Sequence, residues 1–180
     1  SPVSAPWPGW KFYAAVNFND TNPIWEDAPA LFQYISRSQS LLQEGFPDND
    51  VLVYWPVHDS WAKFNDGKPL VQFAIHRLDT WLSGTSFYET AHHLIKEGYG
   101  FDYISDRFLE KVNVENGILQ LPGGNYRSIV VPAVKYMPLK TLKKLINLRS
   151  MGASVVFLEI PESVPGFFDH QKRENELKVL

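Results

Sequence analysis

Chemistry on this chain has few places to reside. The chain holds no cysteine, which excludes thiol nucleophiles, disulfides, Cys-ligated zinc and iron–sulfur clusters together. The Gly-x-Ser-x-Gly elbow of an α/β hydrolase is also missing, so nucleophilic catalysis is not expected. Its five histidines offer no metal spacing: a helix would splay the adjacent His92 and His93 by about 100°, and no His-x-x-x-His occurs. Neither metal nor cofactor is therefore expected. Gly123-Gly124 reads as a turn rather than a phosphate loop, because it does not join a strand to a helix. His58-Asp59 is better placed. It follows a short apolar run, and the carboxyl ends of parallel strands are where α/β ligand sites form. A loop hydrogen bond and a catalytic dyad are both open readings there.

Stacking is the other available chemistry. All six tryptophans fall between Trp7 and Trp81. Trp7, Trp10, Tyr13, Trp25, Trp55, Trp61 and Trp81 offer flat apolar faces with a polar handle, and sugars present CH faces that stack on such rings. Asn17, Asn19, Asp20, Asn22, Asp59, Asn65 and Asp66 supply partners for hydroxyl groups. Aromatic packing between two domains explains the same cluster, and the two readings are compatible.

These residues need elements to hold them. Four of the thirteen prolines lie in the first 24 positions, around Trp7-Pro8-Gly9-Trp10, so that stretch is neither helix nor central strand. A helix is expected from about Asp27 to Glu44, with Leu31, Tyr34, Ile35, Ser38, Leu41 and Leu42 on one face and Gly45 ending it. Val51 to Trp55, closed by Pro56, reads as a buried strand. After a long polar and aromatic insertion, Ser86-Phe87-Tyr88-Glu89 has capping-box spacing and opens a helix that Gly98 ends. Phe101 to Ile104 reads as a strand and Asp106 to Lys111 as a helical turn or two. Gly117 to Leu121 and Tyr126 to Val131 read as strands around the Pro122 to Asn125 turn. Pro138 opens a helix with Leu139, Leu142, Leu145 and Ile146 inward and Lys140, Lys143 and Lys144 solvated. Ala153 to Leu158 is the next strand, and no strong element is expected beyond Pro161. The order predicts an α/β fold: a mostly parallel sheet with helices on both faces, flavodoxin-like or class I amidotransferase-like, after an irregular Trp/Pro-rich segment and a helix.

Composition narrows the partners. With 44% hydrophobic and 21% charged residues and a net charge of −3, the chain has the make-up of a globular protein. The first ninety residues carry 5 Lys+Arg against 10 Asp+Glu, and the second ninety 12 against 10. Neither half has the basic footprint of a nucleic-acid binder, and no apolar run reaches the roughly 18 residues of a membrane span. Ser1-Pro2 begins no signal peptide, and without an initiator Met the chain is expected to be a processed or excised segment.

Pro6-Trp7-Pro8-Gly9-Trp10-Lys11-Phe12-Tyr13-Ala14, Asn22-Pro23-Ile24-Trp25, the stretch from Tyr34 to Gly45 and that from Asp50 to Trp61 together resemble the large bacterial α-L-rhamnosidases of glycoside hydrolase family 106. The second half, through Gly100-Phe101-Asp102-Tyr103-Ile104 and Tyr126 to Pro132, is similar to the amidotransferase-like domain beside the catalytic barrel of those enzymes. That domain occurs in several glycosidase families, β-galactosidases among them. The resemblance implies that residues 1–45 are the last loop and helix of a (β/α)8 barrel. Residues 46–180 would be the amidotransferase-like domain, its C-terminal end left open as incomplete. Such enzymes work with paired carboxylates at the carboxyl ends of barrel strands; these would lie before Ser1, so no catalytic residue is assigned here. The residues expected to touch sugar are Trp7, Trp10, Tyr13, Asp59 and Trp61. The parent would be a secreted or periplasmic hydrolase of plant or microbial polysaccharide, with carbohydrate and the upstream barrel as partners and with this part structural and inactive alone. The alternative is a self-contained carbohydrate-binding or protein-interaction module.

Overall fold

The computed structural model describes residues 19–20, 22–63 and 78–180. Two compact units divide between Phe46 and Pro47. In the first, α1 (Ala28–Glu44) carries Pro in its first turn, where the missing N–H costs no hydrogen bond. Asp27 occupies the N-cap position, but its side chain makes no capping bond. Ala28 is buried, whereas Leu31, Tyr34, Leu41 and Leu42 on the expected apolar face are exposed. The Trp7, Trp10 and Tyr13 positions lie outside the described residues.

The second unit is an α/β domain. In chain order it contains β1 (Val51–Tyr54), α2 (Val57–Lys63), α3 (Leu78–Trp81), α4 (Ser86–Lys96), β2 (Phe101–Ile104), α5 (Asp106–Leu109), β3 (Asn113–Glu115), β4 (Ile118–Leu121), β5 (Gly124–Tyr126), β6 (Ser128–Val131), α6 (Leu139–Ser150), β7 (Ser154–Phe157) and α7 (His170–Val179). The main sheet runs β2-β1-β6-β7 with every pairing parallel. The chain therefore leaves β1 in one direction to build β2 and in the other to build β6 and β7. The reversal falls between β1 and β6, which makes this the topological switch point of the sheet.

Alternate residues of a strand face opposite ways, and the core divides accordingly. Leu52, Tyr54, Ile104, Ile129, Val131 and Val155 pack with Leu142, Leu145 and Leu148 of α6 and Leu177 of α7. On the other face, Val51, Val53 and Phe87 form a smaller cluster, with Leu94 of α4, Phe101 and Val130 against it. Helices thus cover both faces of a mostly parallel sheet.

Several elements depart from the sequence reading. Tyr126 to Val131 is not one strand: Tyr126 belongs to β5 in an antiparallel β3-β4-β5 sheet, and β6 begins at Ser128. At the break, the backbone N–H groups of Arg127 and Ser128 both donate to the Asp50 carbonyl. The β3–β4 turn is Asn116-Gly117, with φ of 52° and 79°, the paired left-handed geometry of a type I′ hairpin. In α6, Leu148 is buried in place of Ile146, which is 37% exposed. The tail beyond Pro161 holds α7. That helix has one buried residue, Leu177, so apolar periodicity could not reveal it. Polar anchors hold it instead: Arg173 donates to the carbonyls of Pro165, Gly166 and Phe168, Ser163 donates to Glu174, and Lys143 pairs with Glu176.

Candidate binding site

Pro56 stops β1, and α2 starts at once with Val57. Because i and i+3 lie on one side of a helix, Asp59 and Ala62 share one side of α2, and His58 and Trp61 share another. The sequence neighbours His58 and Asp59 accordingly serve different places.

Asp59 faces the switch point. Its Oδ2 accepts the Lys135 N–H and its Oδ1 the Tyr136 N–H, both at 2.7 Å. Across from it, the Ser86 Oγ accepts the Ala133 N–H at 2.9 Å. The loop after β6 is thereby tied to α2 and to the start of α4. Thr85, one residue earlier than the expected capping serine, is the N-cap of α4: its Oγ1 accepts the Tyr88 N–H at 3.2 Å and donates to the Leu82 carbonyl. That frees Ser86 for the loop.

These ties frame a cavity of about 420 Å³, walled by Trp55, Trp81, Phe87 and Tyr136 and edged by Asp59, Ser60 and Lys135. Its size falls within the range of small-molecule sites. The Trp55 and Phe87 rings lie 5.4 Å apart at 55°, and the Lys135 ammonium stands 5.6 Å from the Tyr136 ring centre. Phe87 and Trp81 are each 8% exposed, while Trp55 and Tyr136 are half-buried.

His58 turns the other way. Its Nε2 is 3.6 Å from Asp106 Oδ2, beyond ordinary hydrogen-bond length, and the Trp61 ring meets it edge-on at 5.4 Å. Trp61 is 52% exposed and lies outside the cavity lining. The Tyr54 hydroxyl donates to Asp106 Oδ1 at 2.8 Å and that of Thr141 at 2.5 Å. Burial pushes the Asp106 carboxyl up, but His58 and the Thr141 and Tyr54 hydroxyls outweigh it and hold it below the ordinary carboxylate range. Burial foremost, then the Asp106 charge, drives the Tyr54 hydroxyl far above its usual value. Tyr54 and Thr141 are 0% and 5% exposed, and the cluster joins β1, α5 and α6. Similarly, Tyr126 donates to Asp102 at 2.8 Å, and burial followed by that bond leaves its hydroxyl pushed up to about 12. These are neutral donors holding carboxylates, which suits structural bonds better than proton transfer near pH 7.

Among the described residues no cluster of three or more His, Asp or Glu is arranged for a metal ion, and no helix is long and apolar enough to cross a membrane. Of the five residues expected to touch sugar, the structure puts Asp59 on the cavity and Trp61 on the opposite side of α2. Trp55, Trp81, Phe87, Lys135 and Tyr136 complete the site. The two tryptophans were visible as members of the aromatic cluster, but Lys135 and Tyr136 carry no local signal and depend on the pairing of β6 with β1.

The α/β sheet, its walled switch point and the aromatic wealth of the chain meet the comparisons with known proteins here. The sequence profile of glycoside hydrolase family 106, alpha-L-rhamnosidase, matches residues 1–179. The chain belongs to that family. It is 30% identical over 186 aligned positions to a protein of Formosa agariphila named "Putative beta-glucuronidase", covering 99% of this chain and 14% of that relative. The chain thus spans 14% of the length of this curated relative. Among solved structures, the β-galactosidase of Bifidobacterium adolescentis aligns over 61% of this chain and 39% of its own, at 14% identity and a TM-score of 0.36, a level at which neither fold nor activity transfers.

Proposed function

We propose that this chain is an accessory part of a longer glycoside hydrolase acting on plant or microbial polysaccharide, whose catalytic carboxylates lie outside residues 1–180. The observation that carries this reading is the family match over residues 1–179 in a chain that covers 14% of its curated relative. Two carboxylates near the carboxyl ends of the strands support it: Asp59, at the switch point, is engaged by two backbone N–H groups, and Asp106, in the separate cluster with His58, by two buried hydroxyls. Neither is placed as a free acid or nucleophile across a sugar-sized cleft. In this reading residues 1–45 close a (β/α)8 barrel, Trp7, Trp10 and Tyr13 line its cleft, and the amidotransferase-like domain supports the barrel in a secreted or periplasmic enzyme. The amidotransferase-like parentage rests on the resemblance and on the parallel sheet; the missing cysteine accounts for the lost chemistry.

The test is activity on aryl rhamnosides and rhamnose-containing polysaccharide, measured on residues 1–180 and on the longer polypeptide. Turnover is expected from the longer protein alone. Turnover by residues 1–180 that a substitution within them abolishes would overturn the accessory role. A second reading, a module with a ligand of its own, is favoured by the walled cavity and is compatible with the first.

A further inference from the structure

The switch-point cavity is unusual in how its anion-binding features are used. In sheets of this topology, ligands with phosphate or carboxylate groups are held by exposed N–H groups at a helix N-terminus or in a loop nest after a strand. Both devices are present, and each meets an acceptor from within the chain. Thr85 caps the start of α4. The Asp59 carboxylate takes the successive N–H groups of Lys135 and Tyr136. A phosphate entering here would meet a fixed negative charge where its donors should be. The Lys135 side chain also lines the cavity, with its ammonium over the Tyr136 ring rather than presented to an incoming anion.

What the cavity still offers is amphipathic. Trp55, Trp81, Phe87 and Tyr136 give it aromatic walls, and Ser60, Asp59 and Lys135 add a hydroxyl, a carboxylate and an ammonium to its lining. A neutral, compact ligand with apolar CH faces and several hydroxyls matches both sets of groups. We propose that the switch-point cavity of the second unit binds a neutral saccharide unit, stacked on Trp55 and Tyr136 and hydrogen-bonded by Asp59, Ser60 and Lys135. The ligand class comes from the cavity's own chemistry; the site goes beyond the accessory role above and stands separately from it.

The test is direct binding to the 180-residue chain of L-rhamnose, D-galactose, D-glucose and inorganic phosphate, followed by calorimetry and tryptophan fluorescence. At least one neutral sugar is expected to bind saturably, with a Kd on the order of 1 mM. Inorganic phosphate should not bind. Tyr136→Ala and Ser60→Ala should each weaken the sugar by about tenfold or more, while Trp61→Ala, on the far side of α2, leaves it unchanged. Among the described residues Ser60 makes no side-chain hydrogen bond, so its variant keeps the test sharp should Tyr136→Ala unfold. No saturable binding of any of these sugars up to about 50 mM, well above a millimolar Kd, overturns the proposal. So does sugar binding indifferent to both cavity variants, or phosphate binding in the wild type. Absence of sugar binding leaves the glycosidase reading intact, because that reading is tested on the longer polypeptide.

Discussion

The two faces of the main sheet are built to different standards. Toward α6, the side chains of all four strands enter one large apolar cluster that also takes in the small antiparallel sheet through Leu119 and Tyr126. Toward α4, burial is complete only near the middle, at Val51, Val53 and Phe87. The flanks of that second face remain open: Tyr103 on β2 is 53% exposed and Val156 on β7 is 44% exposed. The cavity opens on the thinner side, where Trp55 and Phe87 run from the small cluster into its wall. One face therefore holds most of the buried apolar core, and the other holds the smaller cluster beside the cavity.

The strongest way to break this comparison is to excavate the first face. Leu145 is fully buried in the middle of α6, and Leu145→Ala is expected to destabilise by about 3 to 5 kcal/mol, combining lost transfer energy with a cavity that close packing cannot refill. Urea unfolding followed by circular dichroism would measure it. A cost below about 1 kcal/mol would mean that the large cluster is looser than its burial implies.

Next comes the polar post at the edge of that face. Asp106→Ala strands the buried hydroxyls of Tyr54 and Thr141, at a cost of about 2 to 4 kcal/mol. The same group makes stability depend on acidity. Its folded carboxyl is held below the ordinary value, so its contribution is complete above the unfolded pKa of about 3.9 and fades as pH falls through the depressed folded value. Wild-type stability should drop between pH 5 and pH 3 more steeply than that of Asp106→Asn, which has no carboxyl to titrate. Parallel slopes would show that Asp106 is not the group responsible.

How much of this was legible in the sequence follows the same division. The strands of the main sheet and α1, α4 and α6 announce themselves, because apolar runs and 3.6-residue stripes are written locally. The small antiparallel sheet was half seen, although Asn116-Gly117 is a direct hairpin signal; its strands are only three or four residues long, and the turn was absorbed into a neighbouring strand. α7 was missed because it is fastened by Arg173, Glu174 and Glu176 rather than by an apolar face. At the site, the location of His58-Asp59 was readable from the strand that precedes it. That the two residues diverge was not, since their partners, Asp106 and the 135–136 backbone, lie 48 and 76 or more positions away. Long-range pairing decides such roles, and a lone sequence does not record it.

A finer test of the two faces uses neighbours of one type. Val155 and Val156 are adjacent on β7 and point opposite ways; Val155 is 7% exposed and Val156 44%. Val155→Ala should cost about 1.5 to 2.5 kcal/mol, from two buried methyl groups and the space they leave. Val156→Ala should cost about 0.5 kcal/mol or less, the range of surface changes. Equal costs, read from urea midpoints on the same chain, would mean that the second face is covered in solution and would remove the basis for calling it thin.

The smallest effect is expected where the first face meets water. On the outer side of α6, Lys140 pairs with Glu110 at 2.8 Å while its side chain is 76% exposed. Solvent screening and the entropy of holding two long side chains together leave such a pair worth about 0 to 1 kcal/mol. Lys140→Ala should therefore move the urea midpoint little, and any shift should vanish in 1 M salt, where the Debye length is about 3 Å. A large, salt-resistant loss would show that the outer side of α6 contributes to stability through packing of the lysine stem, and that the contrast between the faces does not rest on buried apolar contacts alone.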